Sequence, residues 1–131
     1  MTDRSNMQAA VYAALRIVSG ALFAFHGSQK LFSFPIPPSK PVEIASQMGV
    51  GGIIELVGGL LIALGLLTRP AALICSGTMA VAYFQFHVGG TKQFLPILNG
   101  GDAAVLYCFV FLMFAVIGAG RYSLDAKRGS A

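Results

Sequence analysis

The chain has 131 residues, 56% of them hydrophobic and only 11% charged, with a formal net charge of +4. A soluble domain carries about twice that share of charge, so an ordinary soluble protein is excluded and one compact integral membrane domain over residues 1–131 is expected. The positive charges flank apolar runs and form no basic stretch interleaved with aromatics, which argues against nucleic acid as a partner and for membrane lipid.

In chain order, residues 1–8 form a short polar tail. The apolar run over about 9–32 is too long for a signal peptide, carries Arg16 and has no evident cleavage site, so it is expected to be a retained first span. Tyr12, Arg16, Ser19, Phe23, His26 and Lys30 recur along it at steps of three and four and share one stripe that should face a bundle. Residues 33–49 form the one long connection. Pro35, Pro37, Pro38 and Pro41 forbid a continuous helix through its first half, and Val42–Met48 is expected to form a short interfacial helix begun by Pro41.

The second span, about 50–68, contains a single charge, Glu55. At helical spacing Gly51, Gly52, Glu55, Gly58, Gly59 and Ile62 fall on one face, and Ile53, Val57, Leu60, Leu64 and Leu67 on the other. The small face should pack against other helices and the bulky face should meet lipid. An ionised side chain in such a span costs several kcal/mol unless it is paired or faces protein or water, so Glu55 should point into the bundle.

Thr68-Arg69-Pro70 makes a tight turn into a third span, about 71–88, with Ser76, Ala80, Tyr83 and His87 on one stripe and Thr78 and Gln85 on another. A loop with Lys92 and Pro96 leads to a fourth span, about 101–117, entered through Asn99-Gly-Gly-Asp102 and ended by Gly118 and Gly120. The expected architecture is all-α, an integral membrane four-helix bundle. Four spans put both termini on one side. Arg4, Arg69, Arg121, Lys127 and Arg128 on that side outnumber Lys30, Lys40 and Lys92 on the other, which predicts cytoplasmic termini for a multi-pass protein.

On this topology His26, Glu55, His87 and Asp102 come from four different helices to the outer half of the bundle, with Gln29, Lys30, Tyr83, Gln85 and Asn99 near them in depth. Each also has a plainer reading. The histidines can be interfacial, Asp102 can cap its helix, and Glu55 can pair with Arg16, Lys30 or a histidine. Phe23-Ala-Phe25-His26-Gly27 echoes Phe84-Gln-Phe86-His87-Val88, and each is followed by a loop and a Gly-Gly segment leading to an acid. Two hairpins related by an axis along the membrane normal would bring the His and acid pairs together. Cys75 and Cys108 form no CxxC and are expected at different depths, more than ~7 Å apart and unbridged.

FHGSQKLF (Phe25–Phe32), ELVGGLLIALGLLTR (Glu55–Arg69), the histidine closing the third span, and GRYSLD (Gly120–Asp125) together resemble the DoxX family of small bacterial membrane proteins. The resemblance implies a four-helix inner-membrane protein that is often a partner in redox systems. Some relatives are linked to quinone reduction or thiosulfate oxidation and others to complexes that handle oxidative stress. His26, Gln29, Lys30 and Glu55 match the signature polar residues, and no catalytic assignment comes with them.

Four functions compete. A redox-linked subunit of a membrane oxidoreductase system would hold a quinone in the outer half. His26 and His87 would donate to its carbonyls, Glu55 or Asp102 would pass protons, and Phe23, Phe25, Tyr83 and Phe86 would wall the ring, with Gln29 and Lys30 beside it. Alternatively, His26 and His87 with Glu55 or Asp102 would make a two-His, one-carboxylate metal set, or the two histidines would ligate haem. A non-catalytic anchor or scaffold for a redox enzyme partner is the third reading. A small-solute carrier, which would need a homo-oligomer for room, is the fourth.

Overall fold

Long apolar runs punctuated by glycine and proline fold into helices whose ends are tied by side chains from far along the chain. The computed structural model describes residues 3–131, all helix, turn or loop with no strand among them. Helix α1 spans Asp3–Phe32, α2 Gln47–Leu64, α3 Thr68–Thr91, α4 Pro96–Asn99, α5 Asp102–Ile117 and α6 Leu124–Lys127. By length and composition α1, α2 and α3 can each cross a membrane, and α5 is a shorter apolar helix of 16 residues.

Several boundaries differ from the sequence expectation. The tail expected over 1–8 is helical from Asp3 onward, where an acid in the first turn suits the helix dipole, and Met1 and Thr2 lie outside the described residues. No interfacial helix forms over Val42–Met48. Instead Ser46 caps α2, its hydroxyl accepting from the Gly49 N–H at 3.1 Å, so the polar cap starts the span three residues early. Gly65 ends α2 in the left-handed conformation (φ 68°), donating back to Ile62 and Leu61, and α3 starts at Thr68. Helix α3 is π-helical over Tyr83–Val88, a widening that often marks functional positions.

The two faces of α2 separate largely as the pattern requires. Gly52, Glu55, Gly58, Gly59 and Ile62 are buried, and Ile53, Val57, Leu60, Leu64 and Leu67 are exposed, but Gly51 is only half-buried, with nothing within 4 Å of where its Cβ would stand. The small face lets α1 approach closely. A Cβ at Gly59 would lie 2.6 Å from both the Ala24 nitrogen and the Gly20 oxygen, and one at Gly20 would lie 2.6 Å from the Ala63 nitrogen. Helix α3 packs mainly on α5. Between α1 and α5 aromatic rings set the spacing: Tyr12 on Phe114 at 5.5 Å, and Phe23 on Phe111 at 4.8 Å and on Tyr107 at 5.2 Å.

At the end holding both termini and the α2–α3 turn, orphan backbone groups find distant partners. Buried Arg16 donates to the carbonyls of Ile62 (3.0 Å), Tyr122 (2.9 Å) and Ala119, tying the end of α2 to the C-terminal segment. Arg69 donates to the carbonyls of Val116 (2.5 Å) and Ile117 (3.1 Å) at the end of α5. Asp125 accepts from the N–H groups of Leu67 and Thr68, each at 2.9 Å, and so caps α3 from outside its own sequence. GRYSLD is thus a staple. Arg121 adds a bond to Asn6 at 2.8 Å, so the first turns of α1 and the C-terminal segment meet at one end of the bundle.

The cysteines correct another expectation. Both are free, yet Ser76, which adjoins Cys75, donates to the Cys108 carbonyl at 2.7 Å and has its Oγ 3.5 Å from the Cys108 sulfur. The two cysteines therefore share a level. Arg69 near the start of α3 meets the last turn of α5, so Cys75 and Cys108 stand similar distances from that common end.

Candidate functional site

The close α1–α2 seam and the aromatic α1–α5 seam leave a space at the end of the bundle away from the termini. It is a cavity of about 910 Å³, within the range of small-molecule sites, lined by side chains from α1, α2, α3 and α5. Its lining includes exposed residues of all four helices, among them His26 on α1, Val50 on α2, Phe86 on α3 and Ala103 on α5, so the space opens to the surface of the bundle. At the rim Gln47 Nε2 donates to Gln85 Oε1 at 2.7 Å, and Gln85 Nε2 donates to Gln47 Oε1 at 2.8 Å.

Five of the eight candidate residues line this space: Phe23, His26 and Lys30 from α1, Glu55 from α2 and His87 from α3. The partner of Glu55 is Lys30. Its ammonium lies 2.6 Å from Oε1, with the carboxylate side chain 5% exposed and that of the lysine 21%. Lys30 sits in the last turn of α1 and reaches back along the helix to the acid. Oε2 of Glu55 is buried with no hydrogen-bond partner. Arg16, the other cation weighed as a partner, is committed to carbonyls at the far end.

His26 packs edge-on against Tyr107 with ring centroids 6.3 Å apart. His87 lies in the π-helical turn, where its Nδ1 is 3.2 Å from the Asn99 carbonyl and its ring stacks on Tyr83 at 6.2 Å and 27°. The two histidines of the internal echo do line one space, from α1 and α3.

Three candidates stand apart from the cavity. Asp102 is exposed in the first turn of α5, where an acid complements the helix dipole. Gln29 donates to the Pro37 carbonyl at 3.5 Å and braces the proline-rich connection. Tyr83 is buried behind His87, its hydroxyl donating to the Phe94 carbonyl and accepting from Asn99 Nδ2 at 3.1 Å. Phe25 is exposed and does not line the space, whereas Phe86 does. Among the described residues no group of three or more His, Cys, Asp or Glu side chains could hold a metal ion.

Sequence reasoning passed over Tyr107, which lines the cavity and stacks on Phe111 at 5.4 Å and 24°. The signal was available, since Ala104, Tyr107, Phe111 and Phe114 recur at steps of three and four and mark the inner face of α5. Thr78 on α3 also lines the space, its hydroxyl donating to the Ile74 carbonyl at 2.8 Å.

The family model described as DoxX matches residues 11–88, the stretch that carries His26, Lys30, Glu55 and His87. A protein of Haemophilus influenzae (strain ATCC 51907 / DSM 11121 / KW20 / Rd), described as "Uncharacterized protein", is 46% identical over 118 residues, 88% of this chain and 88% of that one. No solved structure matches this chain.

Proposed function

The chain belongs to the DoxX family of membrane proteins, and on that premise we propose that it is a redox-linked subunit of a membrane oxidoreductase system whose cavity takes a quinone-type carrier. The observation that carries this reading is the one cavity gathering the Lys30–Glu55 pair and both histidines against an apolar wall. A carrier ring needs an apolar slot with a few polar groups at its oxygens. Phe23, Tyr107 and Phe86 offer aromatic faces, and His26 and the ion pair offer polar ends. The open, largely apolar lining suits a ligand that arrives from lipid. When bound, the carrier supplies the electron chemistry, and a redox enzyme partner exchanges the electrons. The chain's own residues bind the ring, orient it and hold protons at Glu55 and the imidazoles. The site lies at the end away from the termini, and in this reading that end faces the outer side of a bacterial inner membrane, in keeping with the excess of lysine and arginine at the other end.

The metal reading fares less well, because Glu55 is engaged by Lys30 and among the described residues no third ligand joins the histidines. The deciding experiment measures quinone-dependent turnover in membranes carrying wild type, Glu55→Gln or His26→Ala, with folding checked by thermal melts. Turnover should be abolished in both variants while both remain folded. Normal turnover in both would overturn the proposal and favour a scaffold.

A further inference from the structure

Of the tyrosines on the long helices, two donate to backbone carbonyls, Tyr12 to Gly118 at 2.6 Å and Tyr83 to Phe94. The third, Tyr107 on α5, makes ring contacts only. Among the described residues its hydroxyl has no hydrogen-bond partner. A hydroxyl taken from water without a partner costs free energy, and a phenylalanine would fill the same ring site without that cost.

The Tyr107 ring is held in place. It stacks on Phe111 at 5.4 Å and 24° and meets Phe23 at 5.2 Å, and both of those rings are buried. With the ring fixed, only the O–H bond still turns. The side chain lines the cavity together with Lys30 and Glu55, and its hydroxyl is within electrostatic reach of the Glu55 carboxylate.

The neighbouring polar groups are differently placed. His87 has its Nδ1 engaged at the Asn99 carbonyl, 3.2 Å away. The Lys30 ammonium uses one N–H on Glu55 Oε1 at 2.6 Å and keeps two. His26 is exposed, with its ring edge-on to Tyr107. Tyr107 and Lys30 thus bring free hydrogen-bonding capacity to one cavity from α5 and α1, and the tyrosine does so on a rigid, neutral group.

We infer that the Tyr107 hydroxyl is a ligand-binding group that hydrogen-bonds a ring oxygen of the carrier and so positions the ring against α5. A hydroxyl donates to a carbonyl and accepts from another hydroxyl, so the contact serves either redox form. This rests on the reading of the cavity as a quinone-type site and adds the residue that recognises the oxygen.

The test is titration of the full chain in lipid nanodiscs with decylbenzoquinone, wild type beside Tyr107→Phe. Calorimetry should show about three- to tenfold weaker binding by the variant, the loss of one hydrogen bond. Infrared difference spectra with isotope-labelled quinone carbonyls should show the bound carbonyl stretch moving toward its free value in the variant, a change that a structural role would not produce. The melting temperature should match wild type, because the ring contacts remain. An unchanged affinity or an unchanged stretch overturns the inference and leaves the proposed function standing. A variant that loses its fold also overturns it, since the hydroxyl would then be holding the protein. Failure of the wild type to bind the quinone overturns both.

Discussion

Removing either partner of the Lys30–Glu55 pair should have unequal consequences, because the two charges are unequally buried. At 2.6 Å their gross attraction is about 6 kcal/mol at an effective dielectric near 20. Desolvation offsets much of this, and what matters is the charge left behind. Lys30→Met leaves a carboxylate 5% exposed with neither oxygen paired, and should cost about 3–5 kcal/mol. Glu55→Leu leaves a lysine 21% exposed in the last turn of α1, whose long stem can carry its ammonium outward, so it should cost only about 1–2 kcal/mol. The double variant Lys30→Met/Glu55→Leu removes both charges and should fall within about 1 kcal/mol of wild type. Reversible unfolding by SDS titration in mixed micelles, followed by circular dichroism, gives all four corners of the cycle. Two single variants that cost the same, or single costs that simply add in the double variant, would refute the view of this pair as one buried unit.

Gly59→Ala should destabilise the bundle by about 1–3 kcal/mol in the same assay, because its Cβ meets backbone of α1 that cannot yield without separating the helices. Gly51→Ala, with nothing within 4 Å, should be neutral or slightly stabilising. Asp125→Ala should cost about 1–2 kcal/mol by uncapping α3, read as a drop in melting temperature. Burial pushes the Asp125 carboxyl up, but the N–H groups of Thr68 and Leu67, with Arg128 beyond them, pull harder, so it lies below its ordinary 3.8. For a carboxyl lowered by folding the contribution is fully present above pH 3.8 and is lost as pH falls below it, so Asp125→Ala should flatten the acid limb of the melting curve there.

The face of each helix that turns inward was legible in the sequence. On α2 the glycines, Glu55 and Ile62 sit together at helical spacing, and on α1 Arg16, Ser19 and Phe23 do the same, because an apolar solvent sorts side chains by angle around the helix. The convergence of His26, Glu55 and His87 at one end followed from depth along antiparallel spans. Asp102 has that depth but not the angle, since it starts α5 on an exposed position. Periodicity leaves open how far one helix slides or rotates against its neighbour. Sliding set the common level of Cys75 and Cys108 and the choice of Lys30 over Arg16 as the partner of Glu55. Helix ends were equally open, because an orphan carbonyl or N–H accepts whatever side chain tertiary packing brings. Only the folded chain could make Asp125 the cap of α3, 57 residues away in sequence, and turn the GRYSLD signature into the clasp of the bundle.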